Sequence, residues 1–158
     1  MRYWKYLAGF SIPLFVALAL FLPDGWSFVG LAYAFGFIPL MEVLLPPQTQ
    51  NLDKAQEAVE RADRVYDAML YAIVPLQWGL VLVYLMGAAS GQWSTLEWVG
   101  KTLSLGVACG ALGINVAHEL GHRSKAMERA MAKTLLASSL YMHFIIEHNL
   151  GHHRHVST

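Results

Sequence analysis

Long apolar runs separated by short polar breaks dominate this chain. Residues 6–22 form an uncharged run of 17, residues 26–45 a run of 20 broken only by Glu42, and residues 68–90 an uncharged run of 23. Each approaches the roughly 20 residues that a helix needs to cross a bilayer. A fourth run, residues 102–117, holds 16 uncharged positions and lengthens at its start through Leu96, Trp98 and Val99 if Lys101 snorkels. The pattern predicts an all-α integral membrane fold with four transmembrane helices. A fifth apolar stretch, residues 134–146, has only 13 positions. It is expected as a short apolar helix that dips into or packs beneath the bilayer and leads into a histidine-rich site.

The polar breaks set the connections. Pro23-Asp24-Gly25 predicts a tight turn that makes the first two spans an antiparallel hairpin, and Pro46-Pro47 stops the second span. Residues 51–67 place Leu52, Ala55, Ala58, Val59 and Ala62 at helical spacing among charges, which predicts an amphipathic connector outside the membrane. Pro75 is expected to kink the third span. Gly106, Gly110 and Gly113, with Ala108 and Ala111 between them, are small enough to let helices approach, so the fourth span is expected at the bundle centre.

Composition agrees with a membrane protein and excludes an ordinary soluble domain: 56% of the 158 residues are hydrophobic, 14% are charged and the formal net charge is zero. Residues 1–158 read as a single membrane domain. Arg2 and Lys5 precede the first span, Lys54, Arg61 and Arg64 fall between the second and third, and Arg123, Lys125, Arg129 and Lys133 follow the fourth. The other two loops carry no basic residue, so the N-terminus and both histidine clusters are expected on the cytosolic side. No small-residue cleavage site follows Leu22, which makes the first run a retained anchor. The basic residues are spread along loops without stacking aromatics, so no nucleic-acid partner is expected. The single cysteine, Cys109, lies within a span and reads as a small packing residue.

Five of the seven histidines fall into two clusters, His118-Glu119-Leu120-Gly121-His122 and Glu147-His148-Asn149-Leu150-Gly151-His152-His153. Helical residues four apart share a face, so His118 with His122, and His148 with His152, can each converge on one ion, and His153 adds a neighbouring ligand. Imidazole suits iron, zinc, copper and nickel. The first cluster also matches the His-Glu-x-x-His pattern of zinc proteases, but a catalytic zinc takes three protein ligands and leaves two histidines unused. A site with two metal ions uses all five. Glu119 and Glu147 are expected to orient ligand imidazoles, with direct metal contact as the second reading. His143 is expected to pack beside the site and His155 to face solvent. Glu42, inside the second span, is read as facing the metal chamber, with an interfacial position as the alternative. Phe35, Phe37, Ile38, Leu40 and Met41 could line a hydrocarbon channel or face lipid.

The longer strings Asn115-x-x-His118-Glu-Leu-Gly-His122-Arg123 and Phe144-Ile-x-Glu147-His148-Asn-x-Gly-His152-His153-x-x-Val156-Ser-Thr158 resemble the membrane alkane 1-monooxygenases, integral-membrane di-iron hydroxylases related to the fatty acid desaturases, with Arg123 where lysine is usual and Ser157 where alanine is usual. Pro39-Leu-Met-Glu42 and Met131-Ala-Lys133 extend the resemblance. It implies that His118, His122, His148, His152 and His153 bind two iron ions. It also implies terminal hydroxylation of medium or long-chain n-alkanes with O2, using two electrons from rubredoxin, itself reduced by a flavoprotein reductase. The location implied is the bacterial inner membrane, in contact with lipid. Relatives of that kind carry further histidines and spans downstream, so the chain is expected to be the N-terminal part of a longer hydroxylase and inactive alone. The rival readings are a desaturase or aryl-methyl hydroxylase, an intramembrane zinc protease, and a non-catalytic membrane subunit. The basic segment 123–133 is a candidate surface for an acidic electron donor, although a topology signal already accounts for it.

Overall fold

The computed structural model describes residues 4–46, 63–144 and 147, and every regular element among them is helical. A helical turn, Trp4–Leu7, leads into α1 (Ala8–Phe21), followed by α2 (Asp24–Leu44), α3 (Arg64–Ala89), α4 (Thr95–Gly121) and α5 (Ala126–Ser138). Helices satisfy their own backbone groups, which lipid demands. Of these, α2 with 21 residues, α3 with 26 and α4 with 27 are long and apolar enough to cross a membrane. The first expected span is the shorter apolar helix α1. The lengthened reading of the fourth run holds, since α4 starts at Thr95. Most of the expected 51–67 connector lies outside the described residues.

Local chemistry sets the ends of these helices. Asp24 takes φ 50° at the α1–α2 turn, a left-handed conformation that aspartate tolerates better than most residues, and Ser27 Oγ donates to its carbonyl at 2.6 Å. Asp63 caps α3 by accepting from the Val65 amide at 3.0 Å. The α3–α4 turn passes through Gly91 at φ 67°. A reciprocal cap then opens α4: Ser94 Oγ accepts from the Glu97 amide and Glu97 Oε2 from the Ser94 amide. Pro75 sits inside α3 without ending it.

Lys101 departs from expectation. It is 3% exposed, and its ammonium donates to the carbonyls of Leu20 at 2.8 Å and Leu22 at 3.0 Å. The last carbonyls of a helix have no intrahelical partner, so this cation closes the end of α1 in place of snorkelling to headgroups. Glu97 lies 3.8 Å away and the Trp93 ring 5.1 Å away.

As expected, α4 is the central span, packed against α1, α2 and α3, but two of the three glycines expected to mediate this do not. Gly106 and Gly110 are exposed, and a Cβ on either would meet nothing within 4 Å. The close approach lies a turn and more earlier, where a Cβ on Gly100 would fall 2.1 Å from Ser27 Oγ and 2.8 Å from the Phe28 ring. Ser104 Oγ donates to the Ser27 carbonyl at 2.9 Å, so hydroxyl–carbonyl pairing joins small side chains in holding α2 to α4. Gly113 alone of the three is buried, against Gln77 and Ser138.

Two apolar clusters complete the packing. Val16, Leu20, Leu80 and Ala108 join α1, α3 and α4. Ile73, Leu112, Val116, Leu120, Ala132, Leu135 and Leu136 join α3 and α4 to α5. The short fifth helix therefore packs against the ends of two spans, but its bounds differ from the apolar run. It begins before the run because Ala132, Leu135 and Leu136 form a helical stripe with the buried Glu128. It ends at Ser138 because Leu140 turns left-handed at φ 56°. The Tyr141 amide bonds the Leu136 carbonyl at 2.9 Å, and the Leu140 amide bonds Ala137 at 3.1 Å, the bonding of a Schellman stop with leucine where glycine is usual.

Left-handed backbone costs an L-residue about 1–2 kcal/mol, and Leu140 is 90% exposed. Leu140→Gly is therefore expected to stabilise the protein by about 1 kcal/mol, read as a higher melting temperature in detergent. Gly100→Ala is expected to cost about 1–3 kcal/mol through overpacking in the same measurement.

Candidate metal centre

His118 lies in the last turn of α4 and His122 is its C-cap, four residues on along the same face. Their Nε2 atoms are 3.0 Å apart, and the rings meet edge to face with centroids 4.6 Å apart. That separation is less than twice the roughly 2.1 Å length of a metal–imidazole bond, so both nitrogens can reach one ion. His118 is half-buried and His122 exposed. The Phe144 ring stands 6.1 Å from His118, bringing the segment after α5 back beside the pair. Among the described residues, no group of three or more His, Cys, Asp or Glu side chains converges on one point. His148, His152 and His153, and likewise His155, lie outside the described residues.

A π-helical turn, Cys109–Ile114, precedes these histidines within α4. Such a turn holds an extra residue and is frequent at functional sites. Since each helical residue advances about 100°, it rotates the face on which everything after it falls. Asn115 Nδ2 donates to the Ala111 carbonyl at 3.0 Å, supplying a partner within the turn. Beside it Gln77, fully buried, donates from Nε2 to Cys109 Sγ at 3.1 Å. Cys109 is thus a packing residue that also accepts a hydrogen bond.

The other predicted residues are placed less centrally. Glu119 is exposed, and its Oε1 accepts from Arg123 Nε and Nη2, both at 3.4 Å. Glu147 is exposed, with its amide 3.1 Å from the His143 carbonyl. His143 is exposed and stacks edge to face on Tyr141 at 4.6 Å. Glu42 is exposed near the end of α2. Phe35, Phe37 and Leu40 are also exposed, so they are placed for lipid contact more than for a channel through the described bundle.

Sequence reasoning missed the charged cluster behind the histidines. Arg123, read as one of four basic loop residues, turns inward instead. Its Nη1 pairs with Asp67 of α3 and with Glu128 of α5 at 3.1 Å. Glu128 is 2% exposed, accepts from the Tyr71 hydroxyl at 2.5 Å and lies 3.7 Å from Lys125 Nζ. The hydrogen bond that Arg123 donates to Asp67, and then those to Glu128 and Glu119, raise the Arg123 pKa above its ordinary range against the effect of burial. The Tyr71 hydroxyl, then Arg123 and Lys125, lower the Glu128 pKa against its desolvation. The signal available in the sequence was Glu128 on the apolar side of the α5 stripe, since a buried carboxylate needs partners.

No protein-family model matches the chain. It is similar to alkane 1-monooxygenase of Pseudomonas putida, 39% identical over 139 residues, covering 85% of this chain and 34% of that protein. It is 34% identical to alkane 1-monooxygenase 1 of Alcanivorax borkumensis over 146 residues, 90% of this chain and 36% of that one. It is 35% identical to alkane 1-monooxygenase 2 of Pseudomonas aeruginosa over 161 residues, 99% of this chain and 43% of that one. The resemblance read from the histidine motifs thus extends over most of the chain, which spans about two fifths or less of the length of these curated relatives.

A depressed folded-state pKa contributes stability above the unfolded pKa that is lost as pH falls through the folded value. At pH 7 Glu128→Gln is expected to melt below the parent protein. The gap between them should close as pH drops below about 4.5, because the parent carboxylate then protonates while glutamine does not titrate. Thermal melts of both proteins from pH 7 to pH 3 check this.

Proposed function

We propose that this chain forms part of a membrane alkane 1-monooxygenase that converts n-alkanes to 1-alkanols. The reaction joins one oxygen atom of O2 to the terminal carbon and releases the other as water, consuming two electrons and two protons. The observation that carries the reading is the His118–His122 pair, two ring nitrogens 3.0 Å apart at the end of a span, in a chain similar to named alkane 1-monooxygenases over most of its length. The donor set fits an iron site: two imidazoles from one helical turn, with His148, His152 and His153 supplying the remaining ligands that this chain offers. Iron held there supplies the oxygen activation that no side chain performs alone.

The chain's own contribution is placement. Four apolar helices, the short α1 included, deliver the histidines to the end of a bundle that meets lipid, where a hydrocarbon substrate dissolves. His118 is half-buried beside Phe144 and His122 is exposed, so the pair is open on one flank and packed on the other. The basic loops orient the histidines to the cytosol of a bacterial inner membrane, where a rubredoxin delivers electrons. Glu119 and Glu147 stand next to ligands in sequence, where a carboxylate can orient an imidazole.

Membranes from cells expressing the full-length hydroxylase of which this chain forms part, together with a rubredoxin and its NADH-dependent reductase, are expected to turn n-octane into 1-octanol, detected by gas chromatography. His118→Ala and His122→Ala should each lower the yield by about 100-fold or more, the scale on which ligand loss exceeds the 10–100-fold cost of losing a supporting residue. Iron-replete membranes that form no 1-alkanol would overturn the reading. A desaturated product, or activity that needs zinc and Glu119 but neither His152 nor His153, would replace it with the desaturase or protease reading.

A further inference from the structure

We propose that Arg123 is a positioning residue for the metal site, a clamp that fixes the turn carrying His122 to α3 and α5 through Asp67 and Glu128. The inference rests on the reading that His118 and His122 hold metal.

His122 is the C-cap of α4 and exposed, and the last residues of a helix are where frayed ends are common. A ligand set must be held within about 0.5 Å of its working geometry, so a histidine at such a position needs an anchor. The next residue provides one. A guanidinium carries five donors in a rigid fork, and that of Arg123 engages carboxylates from three places in the fold: Asp67 in the first turn of α3, Glu119 within α4 and Glu128 in the first turn of α5.

The clamp is itself held. Glu128 is 2% exposed and bound by the Tyr71 hydroxyl of α3 at 2.5 Å. Arg129 Nη1 donates to the carbonyls of Arg123, at 3.3 Å, and of Ser124, which closes the turn between α4 and α5. On the other side of the turn, Leu120, Ala132, Leu135 and Leu136 are wholly buried. The His122 backbone is therefore fixed by charge on one flank and by apolar packing on the other. Lysine at 123 could neutralise one carboxylate as a point charge, but it lacks the fork that spans several.

The test is the affinity of the 158-residue chain for Co2+ in detergent micelles, followed by the visible absorption of histidine-bound cobalt in competition with a chelator. Arg123→Gln and Glu128→Gln are each expected to weaken binding 10–100-fold. Combining them should add little further, because both remove the same clamp. Arg123→Lys should recover part of the loss. Lys101→Met, which releases the end of α1 at the opposite end of the bundle, should lower the melting temperature without changing cobalt affinity or spectrum. That contrast separates positioning from general loosening. Should Arg123→Gln fail to fold, Asp67→Asn decides, with the same weakening expected. Unchanged affinity in the Arg123, Glu128 and Asp67 variants, while His118→Ala and His122→Ala abolish binding, would overturn the clamp and leave the metal site standing. Unchanged affinity in the two alanine variants would overturn the metal site and the clamp together.

Discussion

Lipid offers no hydrogen bonds, so a polar group inside the bundle is costly unless the chain itself partners it. That constraint makes the described residues helical and concentrates polar chemistry at helix termini. Two cations answer it at opposite ends. Lys101 closes the carbonyl end of α1 beside the α1–α2 turn. Arg123 gathers the acidic first turns of α3 and α5 at the other end. Between them runs α4, which carries Lys101 and leads directly into the turn that holds Arg123, so the helix that bears the histidines also ties its neighbours together.

The position of the histidine pair follows from this arrangement. A π-helical turn sets the rotation of the last part of α4, and Asn115 bonds back into it. Leu120 seals the apolar flank against α5, and the ion-pair cluster fixes the polar flank. His118, half-buried, and His122, exposed, lie between the two flanks.

Much of this was legible in the sequence because it depends on composition and local spacing. Apolar runs of near-span length named the helices, and four-residue spacing named the His118–His122 pair. The turn at Pro23-Asp24-Gly25 and the start of α4 before Leu96 also followed from local signals. Other features were misread for a shared reason. Lys101 was taken for a snorkelling side chain, Gly106 and Gly110 for packing positions, and Arg123 for a loop charge, since a residue's own type does not reveal what another segment brings to meet it. The end of α5 was misplaced because Leu140 adopts a backbone conformation that its side chain disfavours, held there by the hydrogen bonds of the helix stop.

The sequence by itself determined the class of the protein, the helices, the candidate ligands of the first cluster and the family it resembles, because each depends on residue type and short-range periodicity. Only the tertiary structure decided which glycines meet a neighbour, which cation is buried and which carboxylates gather behind the histidines. Those outcomes depend on contacts between residues far apart in the chain, 56 positions for Arg123 and Asp67 and 81 for Lys101 and Leu20. They also depend on a π-helical turn whose effect on every later side chain no fixed helical period anticipates.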